Sequence, residues 1–202
     1  MRLRALLLCL AILGFGIMIH QQAYSEDTKK APTQDEIMAA YMKYAQPGEF
    51  HKYLEPLVGE WAVSIKMWMN AGAPPEESKG TTVSKWILGS RFVQEDASGS
   101  MGGMPFHGMG ITGYDNVKNE YVSFWIDEMA TSFMITSGKS DPTGKIITMS
   151  GSYADPMANM AQTKFKTITR IIDNNQHVYE MYNTGSDGKE FKSLELTYTR
   201  QK

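Results

Sequence analysis

Cysteine is almost absent from this chain of 202 residues, with Cys9 as its single representative. That excludes an intrachain disulfide framework, a C-x-x-C redox pair and any zinc site built on cysteines. An excess of one charge is lacking too. Lys and Arg number 20 against 22 Asp and Glu, a net charge of -2, so no global field exists to hold nucleic acid or an anionic membrane surface. The longest apolar run, Ala5 to Ile19, falls short of the about 20 residues that a membrane-crossing helix needs. What remains is ordinary: 42% hydrophobic, 21% charged and 11% aromatic, the composition of one globular domain and not of a disordered, collagenous or coiled-coil chain.

The first 25 residues have the layout of a secretory leader: Arg2 and Arg4, the apolar run, then polar residues leading to Ala23-Tyr24-Ser25. Cleavage is expected after Ser25, which makes the protein secreted or periplasmic, without a stable membrane anchor. Cys9 sits among leucines inside the run and not at its end after small residues, so it does not read as a lipidated cysteine. The mature chain then has no cysteine, and 18 basic against 22 acidic residues give it a net charge of -4. Three organisational segments follow: a leader (1–25), a linker with helices (26–58) and a strand-rich domain (59–202).

Thr33 with Glu36 forms the capping-box pattern of a helix start, Ile37, Ala40, Tyr41 and Tyr44 recur at helical spacing, and Pro47-Gly48 stops the helix. A second short helix is expected from about Glu49 to Glu55. Neither helix buries an apolar face alone, so both are expected to lie on something larger. From Trp61 the period changes to two. Strands are expected near 61–70, 79–88, 90–98, 105–114, 119–128, 131–139, 145–154, 162–173, 176–184 and 189–200. Joints such as Leu88-Gly89-Ser90, Asp141-Pro142-Thr143-Gly144 and Asp173-Asn174-Asn175 are short, which makes neighbouring strands antiparallel. Ten successive antiparallel strands leave two bare edges unless the sheet closes on itself. The expected fold is all-β: a closed antiparallel meander barrel of about ten strands, wide enough to enclose a small ligand, with one or two short N-terminal helices.

Leu57-Val58-Gly59-Glu60-Trp61, a Gly-x-Trp entering the first strand after a short helix, resembles the start of calycin barrels, the lipocalin and fatty-acid-binding group. The resemblance implies that a basic residue of the last strand, here Arg200, lies over the Trp61 ring as a cation-π pair. A wider set of motifs comprises Met104-Pro105-Phe106-His107-Gly108, Gly113-Tyr114-Asp115-Asn116, Trp125-Ile126-Asp127, Tyr179-Glu180-Met181-Tyr182, Gly185-Ser186-Asp187-Gly188-Lys189-Glu190-Phe191 and Tyr198-Thr199-Arg200. Together these resemble the bacterial domain-of-unknown-function family numbered 1579, over roughly residues 50–202. The resemblance implies a fold and supplies no catalytic residue or cofactor. Where an acid or another polar residue often follows Met-Pro-Phe in such sequences, this chain has His107.

Enzyme motifs are weak here. Gly108-Met109-Gly110-Ile111-Thr112-Gly113 satisfies G-x-G-x-x-G literally, but a turn and another strand follow it where a dinucleotide site needs a helix. Its glycines are better read as relieving crowding in a bent strand. No G-x-S-x-G elbow occurs, and His107 and His177 have no evident serine partner. Carboxylates within strands, Glu95, Asp127, Glu180 and Glu195, could face inward. Glu195, and by a narrower margin Glu95, is read as facing solvent.

Asp127 shares strand parity with Trp125, while Val122, Phe124 and Ile126 fill the other face. If the helices cover that apolar face, Asp127 points into the lumen and needs a partner, for which Arg170 is the best candidate, with Glu180 and Tyr182 completing a polar network. Methionine is abundant, 15 in all. It suits an adaptable apolar pocket, although Met101, Met104 and Met109 around His107 would also suit exported Cu(I). The favoured reading is a non-catalytic barrel holding a small, partly apolar molecule, with no cofactor. Its cavity is expected to be lined by Trp86, Trp125 and Met134, with Asp127, Arg170, Glu180, Tyr182 and His107 setting orientation, Met109 beside His107 as an apolar ligand contact, and the Met101–Met104 loop at the mouth. A hydrolase or isomerase using Asp127 and Glu180, and periplasmic copper binding, are the alternatives.

Overall fold

The computed structural model describes residues 31–155, 161–185 and 188–202. The leader expected over residues 1–25 lies outside the described residues. Helix α1 (Gln34–Ala45) begins with the expected capping box: the Glu36 backbone N–H donates to the Thr33 hydroxyl, and the Glu36 carboxylate accepts from the Thr33 backbone N–H at 2.7 Å. After Pro47-Gly48 come a short helix α2 (Glu49–Lys52) and a single 3-10 turn (Glu55–Leu57) where one second helix was expected.

Ten strands follow: β1 (Gly59–Met67), β2 (Glu76–Ile87), β3 (Phe92–Met101), β4 (Met104–Asp115), β5 (Glu120–Asp127), β6 (Met134–Ser140), β7 (Ile146–Asp155), β8 (Ala161–Asp173), β9 (Gln176–Thr184) and β10 (Glu190–Arg200). Each pairs antiparallel with its successor, and β10 returns to β1 with Trp61 opposite Arg200 and Met67 opposite Leu194, so the sheet is a closed meander barrel with no bare edge. Several sequence-expected boundaries shift by a few residues, most at the ends of β1 and β3 and the starts of β2 and β6. No helix among the described residues is long and apolar enough to cross a membrane.

The up-and-down path gives the barrel two unlike ends. At one end lie the helices, the entry to β1, the exit from β10 and the β2–β3, β4–β5, β6–β7 and β8–β9 turns; this end is plugged. Leu54, Trp61 and Tyr121 are fully buried there; Val93, Ile147 and Met149 pack on Leu54 and Tyr121, and Val63 and Tyr198 pack on Trp61. The Tyr121 hydroxyl donates to the Phe50 carbonyl at 2.9 Å, fixing α2 across the opening, and burial pushes that phenol up to about 12.

Arg200 completes the plug. Its guanidinium carbon lies 4.2 Å from the Trp61 ring centre, and its nitrogens donate to the carbonyls of Val58, Pro56 and Asn174. The expected cation-π pair is therefore present. It also explains Gly59, which has φ of 144° and whose missing Cβ would stand 2.0 Å from an Arg200 nitrogen. The motif is Gly-x-Trp because the guanidinium occupies the space a side chain would need.

α1 departs from expectation. Barrel turns bind only its end: Arg91 donates to the Ala45 carbonyl at 2.9 Å, and Asn116 to the carbonyls of Tyr44 and Gln46 at 2.8 Å. None of its residues is buried, and Ile37, Met38, Tyr41, Met42 and Tyr44 are all exposed. The helices leave uncovered the β5 face of Val122, Phe124 and Ile126, which lies on the outer wall.

Candidate functional site

Above the plug the barrel encloses a cavity of about 370 Å³. Its wall is mostly apolar: Val63, Ile65, Leu194 and Leu196 on the β1–β10 side, Trp125, Met134, Ile147, Met149 and Phe165 opposite, with Tyr179 and Tyr198 projecting inward. The other end of the barrel is the mouth. There the β3–β4 hairpin turns through Gly102 and Gly103, both at positive φ (57° and 78°), and Met101, Gly102 and Phe106 line the rim.

The structure sorts the expected site residues into three groups. Trp125, Asp127 and Met134 line the cavity. The Trp125 indole N–H donates to Asp127 at 2.7 Å, and the other oxygen of that carboxylate accepts from the Met129 backbone N–H at 2.9 Å. The partner of Asp127 is thus its own strand neighbour and not Arg170. Trp86 points inward too but belongs to the plug, packing against the Leu54 cluster and donating to Glu55 at 2.6 Å.

The remaining five lie on the outer wall. On β4 the inward set is Phe106, Gly108, Gly110 and Thr112, which puts His107 and Met109 outside. On β8 and β9 the inward sets are Phe165, Thr167, Thr169 and Ile171, and His177, Tyr179 and Met181. Arg170, Glu180 and Tyr182 therefore face out. There Arg170 donates to Glu180 at 3.1 Å, Lys192 donates to the other Glu180 oxygen at 3.2 Å, and Lys192 also pairs with Glu195. Burial alone would raise the Glu180 carboxyl, but the hydrogen bonds from Lys192 and Arg170 outweigh it and hold the group below the usual range. Only the Arg170–Glu180 part of the expected network exists, on the outer side of the wall and without Asp127.

Gly108 and Gly110 owe their place to Trp125. A Cβ on Gly108 would stand 2.3 Å from indole Cζ2, and one on Gly110 3.0 Å from Cε3. The ring lies across bare backbone of β4, so these glycines serve packing and not phosphate binding.

Sequence reasoning missed the acid deepest in the chemistry. Glu95 on β3 faces the cavity, opposite Ser84 of β2 and Gly110 of β4, and accepts one hydrogen bond, from the Tyr198 hydroxyl at 3.1 Å. Burial raises its carboxyl to about 7, against a lowering by that hydrogen bond and with a further push from Asp96. The signal was its parity with Val93 and Ala97, on a strand where neither face is purely apolar. Burial also holds the Tyr179 and Tyr198 phenols above their ordinary range, and the charge of Glu95 adds to this. His177 stacks on Tyr198 (4.1 Å between ring centres) and meets Trp61 edge-on. Burial first, and the Arg200 charge second, depress its pKa to about 3. Two polar atoms on the cavity wall, Thr82 Oγ1 and His177 Nδ1, have no hydrogen-bond partner.

A closed antiparallel meander barrel with one plugged end and a cavity above the plug is calycin-like in build and resembles ligand-binding barrels. The chain belongs to the family described as protein of unknown function (DUF1579), which matches residues 46–200 and so takes in α2 along with the whole barrel. Among solved structures it is similar to Rv2717c from M. tuberculosis, at 18% identity and a TM-score of 0.56, over 78% of this chain and all of that one. It is also similar to a redesigned β-barrel, b11L5F_LGL (16% identity, TM-score 0.40, 74% of this chain and 96% of that one). Another redesigned barrel, mFAP1 bound to DFHBI, matches at 17% identity and a TM-score of 0.39, over 73% of this chain and 98% of that one. No curated protein sequence matches.

Proposed function

We propose that this protein is an exported container that holds a small, partly apolar molecule without transforming it. The observation that carries the reading is the cavity of about 370 Å³, within the range of roughly 300–1,000 Å³ typical of small-molecule sites. An apolar wall with a few fixed polar groups supplies contact area and orientation, and the five methionines that line it, Met67, Met101, Met134, Met149 and Met181, can adapt to a ligand's outline. The basic and apolar leader pattern before Ser25 supports export.

The alternative readings lose their geometry. Hydrolysis by paired carboxylates needs Asp127 and Glu180 to share one space, and they face opposite sides of the wall. A copper site needs its thioethers and imidazole on one side, but Met101 lines the cavity while His107 and Met109 point outward. Native mass spectrometry of the protein purified from its own host tests the container reading. A retained organic mass that leaves on denaturation is expected; a polypeptide that always flies bare would overturn it.

A further inference from the structure

Resting on the container reading, we infer that the ligand is an amine: a molecule with an apolar or aromatic body whose protonated nitrogen sits against the Glu95 carboxylate. The charges on the cavity wall have one sign. Among the described residues, Glu76, Glu95 and Asp127 line it and no Lys or Arg does. The one basic side chain on the wall, His177, is held neutral by burial. A carboxylate or phosphate ligand would thus enter an acidic space with no counter-charge, and desolvation would make that costly.

Glu95 is positioned to receive a cation. A carboxylate offers about four acceptor sites, and Tyr198 fills one. Asp96 on the same strand adds negative charge. Glu95 is paired with Ser84 on β2 and Gly110 on β4, bonded to Tyr198 on β10 and faced by Tyr179 on β9, and none of these is a cation. The register places Glu95, Gly110 and Trp125 side by side on β3, β4 and β5. Because the middle residue is glycine, no side chain stands between the carboxylate and the indole. The Trp125 ring itself lies over Gly110, so an ammonium held against the Glu95 carboxylate borders an aromatic π system as well. The ligand's body then runs along the methionine and aromatic wall to the mouth.

The test uses three probes of one shape, naphthylethylamine, naphthylethanol and naphthylacetate, titrated calorimetrically into the full protein. At about pH 8, where Glu95 is ionised, the amine is expected to bind at least about tenfold tighter than the alcohol, and the acetate weakest. At about pH 5.5, where Glu95 is protonated, the amine's advantage should shrink by roughly tenfold. In Glu95→Gln the amine should bind no better than the alcohol. Because the pH series on the unmodified chain carries the same readout, the outcome does not depend on how the variant folds. Equal binding of all three, a preference for the acetate, or an amine advantage that survives in Glu95→Gln would overturn the amine assignment and leave the container standing. If none of the three binds, the container reading falls and the amine with it.

Discussion

Glu95 and His177 titrate in opposite senses inside the same barrel. The folded pKa of Glu95 is raised from 4.5 to about 7, so the folded state binds more protons than the unfolded chain between those values. Its contribution to stability is therefore greatest below pH 4.5 and declines as pH rises toward 7, by up to about 3 kcal/mol. His177 is depressed from 6.5 to about 3. Its contribution is complete above pH 6.5 and is lost as pH falls toward 3, by roughly 5 kcal/mol. Urea unfolding across pH should show Glu95→Gln more stable than the parent near pH 8 and flat where the parent declines. His177→Phe, which keeps the ring stack on Tyr198, should lose the acid limb. A parent profile that Glu95→Gln leaves unchanged at neutral and higher pH would mean that the carboxylate is solvated. Neither residue announces this in the sequence. On β9 the two parities read His177, Tyr179, Met181 and Val178, Glu180, Tyr182, both mixed. A cavity needs less apolar filling than a packed core, so composition does not name the inner face.

At the scale of elements, β4 and the outer salt-bridge network carry the sharpest consequences. Gly108→Ala places a methyl within 2.3 Å of the Trp125 ring, so the indole must leave its seat. A loss of about 1–3 kcal/mol is expected, with a changed near-ultraviolet circular dichroism signal and a reshaped cavity. Unchanged spectra would show the ring to be elsewhere. Arg170→Leu should cost less than about 1 kcal/mol, since Arg170 is 41% exposed and Glu180 keeps its bond to Lys192. A loss of several kcal/mol in denaturant titrations would place Arg170 in an enclosed site after all. The elements themselves were legible. All ten strands, the antiparallel order and the α1 capping box follow from period-two alternation, short turns and the Thr33–Glu36 spacing. What failed was facing at β8 and β9: Arg170 and Glu180 were placed inside as partners for Asp127, and that carboxylate is satisfied instead by Trp125 and the Met129 backbone. The apolar residues of α1, Ile37, Met38, Tyr41 and Met42, stay exposed, and the hydrogen bonds that tie this helix to the barrel go to its last carbonyls.

As a whole molecule the barrel depends on one long-range seam. β1 and β10 stand at the two ends of the strand-rich chain, and their pairing over Trp61–Arg200 to Met67–Leu194 removes the last bare edges. Deleting Glu190–Lys202 should leave β1 and β9 as open edges and yield aggregated or unfolded protein by size-exclusion chromatography. A soluble monomer with native near-ultraviolet signal would show that the seam is dispensable. Closure, unlike facing, could be read in the sequence, because ten meander strands admit few other endings. The plugged end also sets the molecule's orientation. The chain enters β1 and leaves β10 at the same pole, where the Gln201 backbone N–H donates to the Glu60 carbonyl at 2.8 Å, and among the described residues the β1–β2, β3–β4 and β5–β6 connections lie at the opposite end, with the mouth. A carboxy-terminal handle, whether for immobilising the protein on a sensor or joining it to a second domain, would therefore hold the molecule by its floor and leave its doorway to the solvent.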